Sequence, residues 1–325
     1  MHAIAVRNPG PAYVLEIAET ATPAPKGREL LIEVAACGIN RADLLQAQGK
    51  YPPPPGASPI LGMEVAGTVR QTGPDVTSFK SGDRVTALIP GGGYAAWALA
   101  DERCALPLPH GLDVIEAASL PEACFTVWTN LIDTAALKTG ETVLIHGGTS
   151  GIGTAAIQLC KALGCTVIAT ASGQEKGRRC RDLGADCAVD YNAEDFVAAV
   201  RRFTKGHGAD VILDMVGADY IGRNFEAAAF KARIVNIAFQ KGAVAETNFA
   251  PMLAKRLSLA ATTLRGRSID EKAAIRDAVL ARVWPLLESG GLKPVIDATF
   301  PLAEAHAAHA RMRAGGHIGK IVLTA

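Results

Sequence analysis

The positions of apolar and polar residues divide the chain into two parts with different periodicities. Up to about residue 121, short apolar and β-branched runs are separated by turn sequences, such as Asn-Pro-Gly at 8–10 and Ser-Gly-Asp at 81–83. Runs of this kind predict strands, and four are clear, at residues 3–6, 30–36, 64–72 and 84–88. Short, evenly spaced strands favour a small β-barrel.

From residue 141 the pattern changes to strands that alternate with helices. Apolar runs at 142–146, 166–170, 187–190, 211–215, 233–238 and 257–263 predict six strands, with helices such as 154–163 and 193–203 between them. This alternation predicts a doubly wound parallel sheet with helices on both faces.

The segments that flank this sheet are predicted from the same patterns. Residues 121–137 and 269–288 read as helices, and the chain then continues with a strand at 293–300, a helix at 302–314 and a strand at 318–323. Because Gly290 and Gly291 offer a hinge back to the first part, two domains are predicted. They comprise residues 1–121 with 293–325, and residues 122–292.

The stretch from Glu141 to Ala156, ETVLIHGGTSGIGTAA, joins a predicted strand to a predicted helix through a glycine-rich turn. Gly151, Gly153 and Ala156 have the spacing of a dinucleotide-binding fingerprint. In that fingerprint, glycines let the backbone approach a pyrophosphate and a small residue lets helix and strand pack closely. The helix N-terminus adds N–H donors and the positive end of a dipole. A glycine turn in another α/β fold is the alternative.

The composition is that of a globular protein with room for two cores. Of 325 residues, 49% are hydrophobic and 20% charged, with 33 basic against 32 acidic side chains, so neither disorder nor a nucleic-acid partner is expected. The first ten residues lack the apolar core of a signal peptide, and no apolar run reaches the ~18 residues of a membrane span. A cytoplasmic protein without a membrane partner is expected. Seven cysteines without a Cys-x-x-Cys pair favour buried thiols over disulfides.

The residues after the second predicted strand of the parallel sheet bear on which dinucleotide is bound. A site for NAD places a carboxylate at this point to hold the ribose hydroxyls. No acid ends this strand; Ser172 offers a hydroxyl and Lys176 and Arg178 offer cations, which suit a 2′-phosphate. The sequence therefore predicts NADPH. The alternative is that the two cations lie on an exposed helix face.

Motifs spread over almost the whole chain carry a resemblance to a known family. They are Cys-Gly-Ile-Asn-Arg-Ala-Asp at 37–43, Gly-Met-Glu-Val-Ala-Gly at 62–67, Gly-Asp-Arg-Val at 82–85, the glycine motif, and Gly-Lys-Ile-Val-Leu at 319–323. With them the chain resembles the medium-chain dehydrogenase/reductase superfamily. Segments 40–44 and 49–53 are similar to the zeta-crystallin type of NADPH:quinone oxidoreductase, with the p53-inducible branch nearest. The resemblance implies an α/β protein with a GroES-like β-barrel catalytic domain and a Rossmann domain that binds NADPH.

The resemblance also raises the question of zinc. The zinc alcohol dehydrogenases of this superfamily have Cys where this chain has Asn40 and His where it has Met63, and their third ligand falls near Glu122. Because an amide is a rare zinc ligand and a thioether a poor one, no metal is expected. His306 and His309 share a helix face without a third ligand and are predicted to be a solvated pair.

The activity implied by the resemblance is hydride transfer from NADPH to a quinone in the cleft between the two domains. A quinone accepts hydride readily because its product is aromatic, so the protein mainly orients two rings. Tyr51 is the expected catalytic and substrate-binding residue, since a protonated phenol donates a hydrogen bond to a quinone oxygen. Packing against the prolines that follow it is the alternative.

Three neighbours of Tyr51 are further candidates from the resemblance. Asn40 and Asp43 are expected to bond the nicotinamide ribose or to fix the loop that carries Tyr51, although Asn40 is equally explained as a helix N-cap. Gln46 is a candidate for the substrate site. It follows Leu45, where several quinone reductases have a second tyrosine.

Position in the family also implies contacts to each part of the cofactor. The pyrophosphate is expected to contact the glycine loop at Ser150, Gly151, Ile152 and Gly153. The adenosine end is expected to contact Ser172, Lys176 and Tyr191. The nicotinamide end is expected to contact Ala238, Phe239, Leu264 and Arg265. Phe239 and Leu264 are also candidates to line the acceptor site, or to be ordinary core residues. A homodimer through the predicted edge strand 257–263 is a further expectation.

Two other functions fit the same sequence. An NADPH-dependent enoyl or alkenal double-bond reductase would use the same fold and cofactor on an activated C=C bond. A protein that binds NADPH without catalysis, as a sensor or structural protein, belongs to a different class, and the presence of Tyr51 argues mildly against it. The sequence leaves quinone and alkene open as acceptors.

Overall fold

The computed structural model describes residues 1–325, which divide into two compact units. The first unit consists of residues 1–125, 264–290 and 294–325, and the second of residues 126–263 and 291–293. The sequence pattern groups residues 264–290 with the parallel sheet, whereas here they belong to the first unit. They are held there by an ion pair between Arg103 and Asp270 (2.7 Å) and by a hydrogen bond from Trp284 Nε1 to Pro107 O (2.9 Å).

Strands and helices follow one another along both units. The strands are β1 (His2–Arg7), β2 (Val14–Glu19), β3 (Glu29–Gly38), β4 (Glu64–Thr72), β5 (Arg84–Leu88), β6 (Trp97–Asp101), β7 (Ala105–Pro107), β8 (Thr142–Ile145), β9 (Thr166–Ala171), β10 (Cys187–Asp190), β11 (Ala209–Asp214), β12 (Ala228–Asn236), β13 (Ser258–Ala261), β14 (Ile296–Pro301) and β15 (Lys320–Thr324). The α-helices are α1 (Arg41–Ala47), α2 (Val114–Ala118), α3 (Pro121–Val127), α4 (Gly151–Ala162), α5 (Gly173–Asp182), α6 (Phe196–Phe203), α7 (Tyr220–Ala227), α8 (Ala250–Lys255), α9 (Ile269–Arg282), α10 (Trp284–Glu288) and α11 (Ala305–Arg313).

The first unit is a mainly antiparallel sheet in the order β14-β15-β3-β4-β5-β7, with β6 also paired to β3 and a separate β1-β2 hairpin. Leu30, Ile32, Val65 and Val85, each 0% exposed, belong to its core. All four strands predicted here are confirmed. The pattern misses β2, β6 and β7, because β2 is largely exposed and β7 has only three residues.

The second unit is a six-stranded parallel sheet in the order β10-β9-β8-β11-β12-β13. This confirms the predicted doubly wound sheet. The strand order reverses between β8 and β11, and ligands of such sheets bind at this switch point, outside the carboxyl ends of the strands. Because the glycine loop directly follows β8, the fold places the motif at the switch point.

Two helical predictions need correction. The helix expected at 269–288 is two helices, α9 and α10, because Pro285 lacks a backbone N–H and its ring clashes with the preceding turn. The helix expected at 121–137 begins as α3 and continues with π-helical spacing at Trp128–Thr134, a form that is frequent at functional sites. None of the helices combines the length and apolarity needed to cross a bilayer.

Candidate active site

The glycine loop of the second unit has the geometry that a dinucleotide requires. Helix α4 begins at Gly151, and the Ser150 hydroxyl caps it by accepting a hydrogen bond from Gly153 N–H at 2.9 Å. A Cβ atom on Gly153 would lie 2.3 Å from Gly147 O, and Gly147 itself has a φ of 67°. Only glycine suits both positions. The N–H groups of Gly151 and Ile152 have no acceptor within the helix and are suited to a phosphate.

Behind this loop, a buried hydrogen-bond network joins the carboxyl ends of the strands. His146, which is 0% exposed, contacts Thr170 Oγ1 through Nδ1 (3.1 Å) and Asn224 Oδ1 through Nε2 (2.8 Å). Asp214 accepts from Asn224 Nδ2 at 3.0 Å and from Val216 N–H at 2.6 Å. Burial lowers the pKa of His146, so its ring is neutral near pH 7. The network fixes the strand ends on both sides of the glycine loop.

The residues predicted for the adenosine end lie beyond β9 and β10. Ser172 immediately precedes α5, Lys176 lies on α5, and Tyr191 follows β10 with 42% of its surface exposed. The structure adds a carboxylate to this group, because Asp190 at the end of β10 accepts from Gly173 N–H at 2.9 Å. No acid ends β9 itself, as the sequence indicates, and the carboxylate beside it comes from the neighbouring strand β10.

The four residues predicted for the nicotinamide end are divided between the two units. Ala238 and Phe239 follow β12 in the second unit, where Phe239 is 45% exposed. Leu264 and Arg265 belong to the first unit, where both are buried.

In the first unit, Asn40 belongs to a buried polar cluster. Lys320 Nζ bonds Glu64 Oε1 and Asn40 Oδ1, the latter at 2.7 Å, and Asn40 Nδ2 donates to Glu64 Oε1 at 2.9 Å. Glu64 Oε2 accepts from Glu122 N–H at 2.9 Å. Glu64 and Lys320 are 0% and 5% exposed, so the cluster is shielded from bulk solvent. Asn40 is the N-cap of α1 by position, yet its side chain is committed to this ion pair.

Asp43 begins a second buried chain of polar groups. Its carboxylate accepts from Gly62 N–H (3.1 Å) and from the Tyr94 hydroxyl (3.2 Å). The same hydroxyl contacts His309 Nε2 at 3.0 Å, and His309 Nδ1 contacts the Tyr13 hydroxyl at 2.7 Å. The prediction that His309 is solvated is wrong, because α11 places it, 0% exposed, between the two tyrosines. Asp43 and His309 thus connect α1 to the core of the first unit.

Burial shifts the pKa of both ionisable ends of this chain. It raises the pKa of Asp43 to about 6, against the hydrogen bonds that lower it. It lowers the pKa of His309 to about 3. Near pH 7, His309 is therefore neutral and Asp43 is mainly a carboxylate that accepts hydrogen bonds.

The neutral state of His309 makes a testable contribution to stability. Because its pKa is lower in the folded than in the unfolded chain, the contribution is complete above pH 6.5 and is lost as the pH falls through about 3. We expect the stability advantage of the wild type over His309→Gln to shrink by about 3 kcal/mol between pH 7 and pH 4. Urea unfolding at each pH measures the free energy of unfolding of both proteins. The control is His2→Gln, which replaces a histidine with an exposed side chain. An advantage that does not change with pH would contradict this account.

Tyr51 lies beside Arg265 and Gln46. The guanidinium carbon of Arg265 is 5.4 Å from the centroid of the Tyr51 ring, and Arg265 Nη2 donates to Gln46 Oε1 at 2.7 Å. Gln46 Nε2 donates to Pro59 O at 2.9 Å, so both ends of its amide have protein partners. Burial, and then the charge of Glu122, raise the pKa of Tyr51, which keeps the phenol protonated at neutral pH. The structure therefore brings together three predicted residues, with Arg265 in contact with both Tyr51 and Gln46.

Sequence reasoning missed several residues that support this site. Lys320, Asp214 and Tyr94 make the buried contacts described above. A signal existed for Lys320 and Asp214, since Lys320 begins an apolar strand and Asp214 ends one, and such charges are rarely buried without a partner. Tyr94 had none, because its partner His309 lies 215 residues further along the chain.

Comparison with known proteins agrees with these features. Residues 26–110 match the alcohol dehydrogenase GroES-like domain, and residues 151–279 match the zinc-binding dehydrogenase domain. The chain is 31% identical to human quinone oxidoreductase, over 99% of this chain and 97% of that protein. It is 34% identical to the mycocerosic acid synthase-like polyketide synthase of Mycobacterium tuberculosis, over 98% of this chain but only 15% of that protein. The structure of Escherichia coli quinone oxidoreductase complexed with NADPH matches with a TM-score of 0.88 at 27% identity, over 100% of both chains.

The relation to the human protein extends over nearly the full length of both sequences. The GroES-like match covers β3 to β7 of the first unit. The dehydrogenase match begins with α4, covers β9 to β13 of the second unit and ends at residue 279 of the first. Fold, motif and sequence identity therefore agree. The chain belongs to the medium-chain dehydrogenase/reductase superfamily, among its quinone oxidoreductase-like members.

Proposed function

We propose that this protein is an NADPH:quinone oxidoreductase. The observation that carries the proposal is Tyr51, a protonated phenol beside Arg265 that is suited to hold a carbonyl oxygen. The end-to-end similarity to human quinone oxidoreductase supports the same reaction. The protein orients the quinone, and its product becomes aromatic on accepting a hydride and a proton.

The second unit fits NADPH. Gly153 leaves no room for a side chain against Gly147 O, and the 12-residue helix α4 presents its N-terminal N–H groups beside that loop. Lys176 on α5 is the cation we assign to the 2′-phosphate. Ser172 precedes the same helix, and Tyr191 donates through its backbone N–H to Ala171 O at 3.2 Å. The related Escherichia coli quinone oxidoreductase complexed with NADPH supports this choice. When bound, NADPH supplies the hydride.

Asn40 and Asp43 serve this reaction by positioning rather than by contact with substrate. Asn40 is occupied on both sides of its amide by Glu64 and Lys320, and Asp43 ties α1 to Gly62. Both groups are buried with protein partners. They hold the segment from which the chain continues to Tyr51.

The Lys320 ammonium supports a reaction without zinc. It lies between Asn40 and Glu64, so the carboxylate that a metal would approach already has a cation partner. The nearby Met63 is buried and has only a thioether to offer. No group of three His, Cys, Asp or Glu side chains in the structure is arranged to hold a metal ion. Zinc independence remains a prediction, which metal analysis of the purified protein tests.

Replacing Tyr51 with phenylalanine tests the proposed function directly. The ring and its packing are kept while the hydrogen-bond donor is lost, so kcat/KM for a para-quinone is expected to fall about 100-fold. The Kd for NADPH, measured by fluorescence titration, is expected to stay within about twofold of the wild type, because the hydroxyl is assigned to the acceptor. Equal quinone activity of the two proteins would remove Tyr51 from the site.

Reduction of an enoyl thioester is the second candidate. The observation that favours it is the 34% identity to a segment of a mycobacterial polyketide synthase, although this chain spans only 15% of that protein. Hydride addition to a C=C bond beside a carbonyl also leaves negative charge on an oxygen, so Tyr51 would serve both reactions. Comparing the rates of NADPH oxidation with a quinone and with an enoyl thioester separates the two candidate functions.

We further propose a cytoplasmic homodimer. Strand β13 lies at the edge of the parallel sheet, and Phe230, Leu253 and Leu259 are 57%, 83% and 39% exposed on this unit. An apolar edge of this kind is usually paired or covered, and the edge of a second copy would cover it. All seven cysteines are free thiols, which suits a reducing compartment.

A further inference from the structure

The guanidinium of Arg265 is buried with one nitrogen unsatisfied. Arg265 is only 6% exposed, and its Nη1 atom has no hydrogen-bond acceptor in the structure. A buried donor without a partner lowers the stability of a protein, and a charged donor lowers it more than a neutral one. A buried donor without an acceptor calls for an explanation, and one explanation is that a bound ligand supplies the acceptor atom.

The rest of this side chain is firmly held. Nε donates to Pro90 O at 2.8 Å and Nη2 donates to Gln46 Oε1 at 2.7 Å. The carbonyl oxygen of Arg265 accepts from Lys272 Nζ at 2.8 Å, and Lys272 is itself buried. With its backbone and two nitrogens fixed, the orientation of Nη1 is preorganised, so binding to it costs little reorganisation.

The surroundings of Arg265 leave its charge without a direct counter-ion. Asp43 and Glu122 act on it electrostatically, but no carboxylate forms an ion pair with it. The Tyr51 ring lies beside it, with its centroid 5.4 Å from the guanidinium carbon. A buried cation beside Tyr51, the residue proposed to hold the acceptor, is suited to bind an oxygen that gains negative charge.

We propose that Nη1 of Arg265 binds the quinone oxygen that becomes negatively charged on hydride transfer, which makes Arg265 a catalytic residue. The inference rests on the proposed function and gives Arg265 a role different from the cofactor contact expected from the resemblance. The C–H bond of the reduced nicotinamide breaks, and its electron pair passes with the hydrogen to the quinone. One quinone oxygen then carries the negative charge, pairs with Arg265, and takes a proton from water to complete the quinol.

The proposal predicts a preference for aromatic oxyanions that does not depend on turnover. The probe is 2-hydroxy-1,4-naphthoquinone at a pH where it is an anion, compared with neutral 1,4-naphthoquinone, both titrated into protein with NADP⁺ bound. In Arg265→Gln, affinity for the anion is expected to fall about tenfold or more, the scale of one charge-assisted hydrogen bond. Affinities for the neutral quinone and for NADP⁺ are expected to change less than about threefold.

Two further variants control this experiment. Arg267→Gln removes a partly exposed cation two residues away, which lies 3.9 Å from Glu271, and it is expected to bind the anion like the wild type. Arg265→Lys keeps the charge, so retention of part of the anion preference shows that charge rather than misfolding is measured. Equal losses for anion and neutral quinone, or a parallel loss of NADP⁺ affinity, would overturn the proposal. Absence of quinone turnover in the wild type would instead count against the proposed function and would leave the binding comparison intact.

Discussion

Replacing Lys320 with methionine is expected to lower the free energy of unfolding of the first unit by about 3–5 kcal/mol. Lys320 is the ammonium partner of Glu64, and the two side chains are 5% and 0% exposed. Without it, the carboxylate stays buried with no counter-ion. The surroundings cannot relax around it easily, since even a Cβ on Gly38 would lie 2.1 Å from Glu64 Oε1. Removing one partner of a buried ion pair lowers the free energy of unfolding by far more than the intact pair contributes to it.

The matched control removes both charges. In the double variant Glu64→Gln, Lys320→Met, most of the lost stability is expected to return, because a neutral amide at 64 still accepts from Glu122 N–H. Urea unfolding in a Trp128→Phe background lets Trp97 and Trp284 report on the first unit alone, since Trp128 is the tryptophan of the second. A loss below about 1 kcal/mol in the single variant, or no recovery in the double one, would contradict a dry ion pair.

Replacing Gly153 with alanine is expected to lower the affinity for NADPH about 100-fold. The added Cβ would lie 2.3 Å from Gly147 O and 2.8 Å from Gly148 Cα, and both are backbone atoms that cannot turn aside. The loop must therefore move away from the N-terminus of α4. A factor of about 100 corresponds to about 2.7 kcal/mol, the scale of one or two charge-assisted hydrogen bonds to a phosphate.

Gly177→Ala is the control for this substitution. A Cβ there would meet its nearest neighbour at 3.8 Å, within a regular helix of the same unit, so neither stability nor NADPH binding should suffer. Fluorescence titration with NADPH measures both variants. If Gly153→Ala bound NADPH as tightly as Gly177→Ala, the glycine loop would not be the pyrophosphate site.

The cofactor-binding unit can be predicted largely from sequence because its signals are local. The apolar strand, the glycines at 147–153 and the helix that follows are contiguous, and all six predicted strands are present in one parallel sheet. What the pattern could not predict is contributed by neighbouring strands. Asp190 reaches the end of β9 only because β10 pairs with it, a matter of sheet order rather than of periodicity.

The first unit depends on contacts between residues far apart in the chain. Lys320 meets Glu64 across 256 residues, and Arg265 meets Gln46 across 219. No hydrophobic period predicts such pairs. The family resemblance pointed to Gln46, Tyr51 and Arg265 one by one. It did not predict that Arg265 contacts the other two, or that its Nη1 atom has no hydrogen-bond acceptor.

The most direct test of the account is the rate of NADPH oxidation by the purified protein with a para-quinone and, separately, with an enoyl thioester, each repeated with NADH. The account predicts oxidation that depends on the quinone and is faster with NADPH than with NADH. Turnover confined to the thioester would assign the protein to double-bond reduction. No turnover with either acceptor, despite tight NADPH binding, would contradict an enzymatic role and favour a sensor.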